Sequence, residues 1–347
     1  MSKEKQVFIN GRFLTQALTG VQRFATQVTA QLAKLEDYEI IILVPKNTNL
    51  NKTDKGLKIK KIGFSCGYFW EQIELPLYLF FSKTPTLLNL TNLSPIFYFN
   101  KLYTLHDTAF IDVPDSFNWK YKLMYRILVP LCLISSKKIF TVSEFSKSRI
   151  IKNYPFIKQH KISVVYNGSN FGLKKMGMVN KKKVILSVAS IDKRKNTALL
   201  ISAFNIFNKK GQYKLILVGK FGKAFKKTEI KEQQNIEYKT NVSDNDLKEL
   251  YLTSSLYVNL SNYEGFGLPV LEALTLGVKV LCSDIEVFRE LFDGKVFFTK
   301  ISDPYVISSN INIALLSLNK NKLDQDNKFC WQKTASIIDQ NLKEIYK

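Results

Sequence analysis

Two successive series of alternating strand and helix patterns run along the chain. The first series predicts strands over residues 6–10, 39–45, 57–63, 87–91, 102–106, 138–142 and 161–166, with helices over 20–34, 70–81 and 118–136. The second series predicts strands over residues 184–189, 214–218, 256–260 and 278–282, with helices over 196–208, 244–254 and about 269–277. Because this alternation is typical of parallel sheets covered on both faces, we predict an α/β protein with two doubly wound parallel sheets.

A short segment without periodicity separates the two series. Residues 169–183 contain two glycines and a run of lysines, which is typical of an interdomain linker. We therefore predict an N-terminal domain over 1–170, a linker over 171–183, a second domain over 184–330, and a C-terminal helix over 331–347 that packs back toward the first domain. Open α/β sheets bind ligands at the carboxyl ends of their strands, so two such domains are expected to face each other across a binding cleft.

Several familiar site patterns are absent from the sequence. Neither half carries G-x-G-x-x-G after its first strand, and no G-x-x-x-x-G-K-[ST] occurs, which disfavours NAD-type and P-loop proteins. The four cysteines are widely spaced and there are two histidines, so we expect buried free thiols, a reducing cytoplasm and no structural zinc. No signal peptide and no apolar run of 18 residues is present, which predicts a cytoplasmic protein that does not span a membrane.

The chain is strongly basic, with 51 Lys and Arg against 29 Asp and Glu and a net charge of +22. This charge fits nucleic acid, an anionic membrane surface or a phosphorylated substrate, and composition alone does not choose among them. A nucleic-acid-binding protein is one candidate. It is disfavoured because the lysines are scattered and no helix-turn-helix, zinc finger or RNP-like strand is visible.

The most informative motif is Asn-Tyr-Glu-Gly-Phe-Gly-Leu-Pro-Val-Leu-Glu-Ala over residues 262–273. It reads as a glycine loop that leads into a helix opened by Pro269, and Gly265 and Gly267 would let a phosphate approach the backbone and the helix N-terminus. Glu264 and Glu272 flank this anion site and could accept hydrogen bonds from sugar hydroxyls. Alternatively, Glu272 only complements the helix dipole and Glu264 is a solvated loop residue.

The segment from Glu264 to Ala273 resembles the signature of retaining GT-B glycosyltransferases of family 4 (glycosyl transferases group 1), of the polysaccharide, O-antigen or capsule type. The resemblance implies a GT-B architecture of two Rossmann-like domains. It also implies that Glu264 lies against the transferred sugar and that Glu272 binds the ribose hydroxyls. The donor site would further include Gly265, Phe266, Gly267 and Leu268.

Shorter matches follow the same order along the chain. Residues 186–196 resemble the loop that opens the donor domain of this family, in which Arg194 and Lys195 would contact the diphosphate, although Ser190 replaces a second arginine of some members. Gly20 lies in a segment similar to the family's first glycine turn, near the donor phosphates, and His106 in one that lines the acceptor side. Further matches are Trp-Glu-Gln at 70–72 with Leu-Pro at 75–76, and residues 142–146 and 165–168.

The resemblance implies transfer of a hexose-type sugar with retention of anomeric configuration. The donor would be a nucleotide diphosphate sugar, with no cofactor and no metal, because Arg194, Lys195 and helix N-termini substitute for a cation. We expect front-face attack, in which the leaving phosphate accepts the acceptor's proton while Glu264 and His106 hold the sugar. A glycosidase-like double displacement would need a nucleophile on the opposite face, and the sequence offers no clear candidate.

The expected acceptor is a glycan linked to polyprenyl diphosphate, in bacterial cell-surface polysaccharide synthesis. The basic first half and the aromatic-rich stretch 117–133 predict peripheral docking on the anionic inner face of the cytoplasmic membrane, and no nucleic acid partner is expected. The donor base, the sugar and the linkage stay open. Competing interpretations are a GT-B-fold sugar-nucleotide epimerase and a non-catalytic partner subunit.

Overall fold

The computed structural model describes residues 5–35, 37–49, 56–83, 85–171, 180–190, 192–219, 234–319 and 327–346. The chain divides into two compact units. Unit 1 comprises residues up to Gly168 together with Lys328–Lys347, and unit 2 comprises Ser169–Asn327. Each unit is built on one parallel sheet, which confirms the predicted class of two doubly wound α/β sheets.

The described part of unit 1 contains a seven-stranded parallel sheet in the order β3-β2-β1-β4-β5-β6-β7. Its strands are β1 (Lys5–Asn10), β2 (Tyr38–Pro45), β3 (Ile59–Ile62), β4 (Thr86–Asn89), β5 (Lys101–Thr104), β6 (Lys138–Thr141) and β7 (Ile162–Val164). Helices of this unit are α1 (Gly20–Leu32), α2 (Gly67–Phe69), α3 (Leu75–Phe81), α4 (Ala109–Asp112), α5 (Trp119–Ile134) and α6 (Glu144–Asn153).

Unit 2 contains, within its described residues, a six-stranded parallel sheet in the order β10-β9-β8-β11-β12-β13. Its strands are β8 (Lys182–Val188), β9 (Lys214–Val218), β10 (Ile236–Lys239), β11 (Ser254–Asn259), β12 (Val280–Ser283) and β13 (Phe297–Thr299). Its helices are α7 (Thr197–Phe207), α8 (Asp244–Thr253), α9 (Leu268–Thr275), α10 (Glu286–Phe292) and α11 (Pro304–Leu316). The chain then returns to unit 1 as α12 (Trp331–Ile345).

The central strands of unit 1 are buried along their whole length, as expected for a parallel sheet covered on both faces. Even Lys101, the first residue of β5, is fully buried. Its ammonium donates to the Ser135 hydroxyl at 2.7 Å and to the Pro95 carbonyl. Burial lowers the pKa of Lys101 to about 8, because the charged form loses its hydration.

Helix α12 packs on unit 1. The Trp331 ring meets the ring of Phe24 in α1 edge to face, with centroids 6.0 Å apart, and the Tyr346 hydroxyl donates to the Gln6 carbonyl at 2.7 Å. A Cβ atom at Gly168 would lie 2.5 Å from the backbone nitrogen of Trp331, so this position allows no larger residue. The end of the chain is therefore part of the first unit.

The predicted helix over 70–81 is instead two successive pieces, a π-helical segment (Trp70–Glu74) and α3, and the short helix α2 precedes them. Pro76 has no N–H and cannot continue the regular hydrogen-bond ladder, while the Leu75 N–H bonds the Trp70 carbonyl five residues back. Strands β10 and β13 and helices α6, α10 and α11 were not predicted. Strand β8 begins inside the predicted linker, and residues 172–179 of that linker lie outside the described residues.

The four cysteines are free, but the prediction that they are all buried was wrong. Cys132 and Cys282 are buried, whereas Cys330 is half-buried and Cys66 is exposed at the start of α2, where its apolar neighbours also face outward. Across the described ranges, no helix combines the length and the apolar character that spanning a bilayer requires.

Candidate active site

Two adjacent cations, Arg194 and Lys195, lie in a 3-10 turn between β8 and α7. The turn begins at Asp192, whose carboxylate accepts the backbone N–H of Arg194 at 3.0 Å, and ends at Asn196, whose backbone is left-handed with φ of 51°. The side-chain amide of Asn196 donates to the Leu260 carbonyl, just after β11, at 2.8 Å. The turn is thereby held at the carboxyl edge of the second sheet.

Ser190, which replaces an arginine of some members of the resembled family, is engaged within this turn. Its hydroxyl donates to Asp192 Oδ2 at 2.8 Å, and the same carboxylate oxygen lies 3.9 Å from Arg194 Nη2. The positive charge of Arg194 is therefore partly offset by the Asp192 carboxylate, whereas Lys195 pairs with a different acid.

That acid is Glu264, in the loop after β11. Its Oε1 atom accepts from the ammonium of Lys195 and from the Ser261 hydroxyl, the latter at 2.8 Å. The side chains of Lys195 and Glu264 are 11% and 13% exposed, so the ion pair is shielded from bulk water yet still reachable. A second link joins the two loops, because the backbone N–H of Asn262 donates to the Arg194 carbonyl at 3.0 Å.

Glu264 is held in its ionised form. Burial alone would raise the pKa of its carboxyl, but the charges of Lys195 and Arg194 and the hydrogen bonds from Lys195 and Ser261 bring the pKa below its usual value. An ionised carboxylate is an acceptor only. It can accept bonds from sugar hydroxyls and stabilise a positive charge nearby, but it has no proton to donate as a general acid at neutral pH.

The glycine loop leads directly into α9. Gly267 has φ of 100°, and a Cβ atom there would lie 2.4 Å from the Phe288 ring, so only glycine fits. Helix α9 begins at Leu268, which places Pro269 at the second helical position and not at the predicted first. In the first turn Pro269 has no N–H, and the N–H groups of Val270 and Leu271 donate to the Gly267 carbonyl at 3.0 and 3.2 Å. What suits a phosphate at this end is the positive end of the helix dipole.

The other predicted donor-site residues of this loop, Gly265, Phe266 and Leu268, are buried. The Phe266 ring packs edge to face against Phe292 of α10, with centroids 6.3 Å apart. Because the side chains of Phe266 and Leu268 are buried in unit 2, a ligand at this loop would contact the loop backbone and not these apolar side chains.

Glu272 is the fifth residue of α9, one position beyond the predicted first turn, and it is buried. The Tyr251 hydroxyl of α8 lies 3.3 Å from Glu272 Oε2 and 3.2 Å from the Pro269 carbonyl. Burial raises the pKa of Tyr257 in β11, and the carboxylates of Glu264 and Glu272 raise it further. Both carboxylates therefore lie within electrostatic range of one tyrosine.

The sequence analysis did not predict two hydrogen-bond partners of these acids, Ser261 and Tyr251. Ser261 stands three positions before Glu264, a spacing at which a hydroxyl often bonds a carboxylate in a loop, so a local signal existed. Tyr251 lies in another helix, and no local pattern connects it with Glu272.

The remaining predicted residues, Gly20 and His106, lie in unit 1. Gly20 is the exposed first residue of α1, and a Cβ atom there would meet nothing within 4 Å. His106 is buried just after β5, where its Nε2 lies 3.1 Å from the Leu90 carbonyl, its backbone N–H donates to Asn92 Oδ1 at 2.9 Å, and its ring meets Phe24 edge to face. Burial lowers its pKa, which favours a neutral ring with Nδ1 as acceptor.

Comparisons with known proteins relate part of this chain to glycosyltransferases. Residues 172–327 match the family Glycosyl transferases group 1. The chain is 30% identical to the O-antigen chain mannosyltransferase RfbU of Salmonella typhimurium, over 59% of this chain and 58% of that protein. It is 28% identical to the N-acetylgalactosamine-N,N'-diacetylbacillosaminyl-diphospho-undecaprenol 4-alpha-N-acetylgalactosaminyltransferase of Campylobacter jejuni, over 50% of this chain and 49% of that protein. The matches thus span less than two thirds of either relative.

Among solved structures, Anabaena Alr3699/HepE, crystallised with UDP and glucose, superposes with a TM-score of 0.69 at 16% identity over 98% of both chains. This similarity and others like it confirm the predicted GT-B fold. The family match covers residues 172–327, so the likeness to glycosyl transferases rests on unit 2 (Ser169–Asn327).

The shielded ion pair predicts a measurable coupling. Lys195→Met should reduce the free energy of unfolding by about 2 kcal/mol, because it leaves the Glu264 carboxylate poorly compensated, and Glu264→Gln should have a similar effect. The double variant should lose roughly 1–2 kcal/mol less than the sum of the two. Urea unfolding of all four proteins measures this coupling, and additive losses would contradict the pairing.

Proposed function

We propose that this chain is a retaining glycosyltransferase. It transfers a hexose-type sugar from a nucleotide diphosphate sugar to a lipid-linked glycan in bacterial cell-surface polysaccharide synthesis. The observation that carries the proposal is the Lys195–Glu264 pair beside the N-terminus of α9. This edge of unit 2 combines an ionised carboxylate for a sugar with cations and a helix end for a diphosphate.

Each group has a distinct part in the proposed reaction. Arg194, Lys195 and the first turn of α9 stabilise the negative charge that builds on the departing diphosphate. Glu264 accepts hydrogen bonds from the sugar and stabilises the positive charge that develops at its anomeric carbon. Glu272, deeper in the unit, accepts hydrogen bonds from the ribose hydroxyls.

For His106, in unit 1, we propose the acceptor-side role that the family resemblance implies, with Nδ1 of its neutral ring as a hydrogen-bond acceptor. The leaving phosphate takes the proton of the attacking acceptor hydroxyl on the same face of the sugar. The new bond forms on the side from which the diphosphate departs, and the anomeric configuration is retained.

The names of the relatives support the substrate classes. One transfers mannose in O-antigen synthesis, and another acts on a diphospho-undecaprenol acceptor. For this chain we propose the acceptor class that the second name prints, a glycan held on a polyprenyl diphosphate. Transfer from GDP-, UDP- and dTDP-sugars to such acceptors, with the anomeric configuration of the product read by NMR, tests the proposal. Transfer with inversion would contradict it.

The two glutamates should differ in kinetic effect once the cognate donor is identified. Glu264→Ala should lower kcat by about 30- to 1000-fold, equivalent to ~2–4 kcal/mol of transition-state stabilisation, while nucleoside diphosphate binds almost normally. Glu272→Ala should chiefly raise the donor KM, because ribose contacts exist before and during transfer. The measurements are steady-state kinetics and nucleotide calorimetry.

Tyr251→Phe is the matched control for Glu272. It removes the hydroxyl that contacts Glu272 but keeps the carboxylate, so the donor KM should change little. Each variant must melt as a folded protein before its kinetics are interpreted. Wild-type turnover by folded Glu264→Ala would refute its catalytic role.

We propose that the donor site works without a divalent metal. Arg194 and Lys195 supply two positive charges at the diphosphate position, and the sequence has no Asp-x-Asp pair at a strand end there. Transfer should therefore continue at the wild-type rate in excess EDTA. Loss of turnover in EDTA that manganese or magnesium restores would show that the phosphate site is misassigned.

We also propose peripheral binding to an anionic membrane through the outer face of α5. One side of this helix packs on the core, while a second apolar stripe is exposed at spacings of three or four residues: Trp119, Leu123, Ile127, Leu131 and Ile134. Exposed basic residues such as Lys120 and Arg126 flank the stripe. An apolar face edged by cations suits the headgroup region of anionic lipids.

Flotation with phosphatidylglycerol and phosphatidylcholine vesicles checks this surface. The wild type should float with the anionic vesicles at low salt, and Leu123→Ser with Ile127→Ser should weaken binding. Leu316→Ser with Leu318→Ser removes two still more exposed leucines from unit 2 and should leave binding unchanged. Equal failure of the wild type to bind both vesicles would reject the surface.

A further inference from the structure

The π-helical segment Trp70–Glu74 contacts loops that follow three different strands of unit 1. At one end, the Trp70 indole N–H donates to the Ile62 carbonyl at 3.0 Å, at the end of β3. At the other, the Glu74 carboxylate accepts the backbone N–H groups of Phe64 and Ser65 at 3.0 and 3.2 Å. The two residues thus fasten the loop that follows β3.

Glu71, in the same segment, is completely buried and fastens the ends of β1 and β4. Its two oxygens accept from Asn10 Nδ2 and Arg12 Nη1, each at 2.7 Å. The Asn10 amide also donates to Asn89 Oδ1 at 2.6 Å, and the Arg12 guanidinium lies 3.9 Å above the Tyr68 ring. The Glu71 carboxylate is therefore closed off from water, while the Arg12 side chain is 10% exposed.

Gln72 holds the loop between β4 and β5, residues 90–97, through both ends of its amide. Its Nε2 donates to the Ser94 carbonyl at 3.0 Å, and its Oε1 accepts the Ile96 backbone N–H at 3.1 Å. Asn89, which shares the Glu71 network, donates to the Thr91 and Leu93 carbonyls at 2.7 and 2.8 Å. Much of the backbone of this loop is thus bonded by side chains from outside it.

The same loop fixes His106. The Leu90 carbonyl lies 3.1 Å from His106 Nε2, and Asn92 Oδ1 accepts the His106 backbone N–H. The Tyr103 hydroxyl donates in turn to the Asn92 carbonyl. Gln72 therefore holds the backbone of Ser94 and Ile96, and Glu71, by way of Asn10 and Asn89, holds that of Thr91 and Leu93. The residues adjacent to these in the same loop, Leu90 and Asn92, hold His106.

We propose that Glu71 and Gln72 are positioning residues for the acceptor side of the site, an inference that rests on the proposed function. They set the 90–97 loop, which fixes the orientation and tautomer of His106. An ion pair with a fully buried acid is a weak source of stability, because well-packed apolar residues often serve as well or better. Its position at the carboxyl edge of the sheet, where α/β units bind ligands, points to positioning.

Three variants in this one segment separate positioning from simple stability. Gln72→Ala and Glu71→Gln break the route to His106, whereas Trp70→Phe removes a hydrogen bond of the same segment to the β3 end and serves as the matched control. In Gln72→Ala and Glu71→Gln, the kcat/KM for the acceptor should fall about 10- to 100-fold, through a higher acceptor KM or a lower kcat. The donor KM should not change. Trp70→Phe should leave the acceptor kcat/KM and the donor KM near the wild-type values, and its melting temperature should be comparable to those of the other two variants.

Hydrogen exchange of residues 90–97 provides a second readout that needs no substrate. Exchange in this loop should accelerate about tenfold in Gln72→Ala and Glu71→Gln but not in Trp70→Phe. Unchanged exchange in the first two variants, or equal losses toward donor and acceptor, would overturn the proposal. Failure of the proposed function would appear differently, as a wild-type chain that transfers no sugar, and the exchange result would still decide the positioning of the loop.

Discussion

Both sheets are wholly parallel over their described strands, and this places the loops that follow the strands at one edge of each unit. The central strands are largely buried and apolar, whereas the edge strands β3 and β10 are partly exposed and carry charged residues. The polar side chains of the candidate site therefore lie in the loops that follow the central strands. Backbone groups that leave the sheet must find new partners there. Asn196, which bonds the Leu260 carbonyl, and Gln72, which bonds Ser94 and Ile96, both meet this requirement with side-chain amides.

The two units use ion pairs at this edge in different ways. The two cations are similarly exposed, Arg12 at 10% and Lys195 at 11%, but the two acids differ. Glu71 in unit 1 is completely buried, and an aromatic ring lies over the guanidinium that it pairs with. Glu264 in unit 2 is 13% exposed and lies shortly before a helix N-terminus, so a ligand can reach its carboxylate. This difference supports a scaffolding role for Glu71 and the substrate contact that we propose for Glu264.

The sequence was sufficient to predict the fold class and most strands, because buried parallel strands leave continuous apolar runs. Helices and strands were predicted less accurately where the local sequence pattern and the tertiary packing favour different structures. Residues 70–81 have a helical composition, yet Pro76 interrupts the ladder and a π-helical segment results. Strand β13 has three residues, too few for a recognisable sequence pattern, and its pairing with β12 defines it as a strand.

For the candidate site, the sequence predicted the acids and cations but not their partners. The motif around Glu264 predicts a carboxylate near a phosphate site, but its pairing with Lys195 joins residues 69 positions apart and depends on which strands are neighbours. The contacts of Glu71 are harder still to predict, because its partners Asn10 and Arg12 lie 61 and 59 positions away, and Asn10 in turn bonds Asn89 of β4. Residue types can therefore be read from a motif, whereas protonation and orientation follow only from the packing around them.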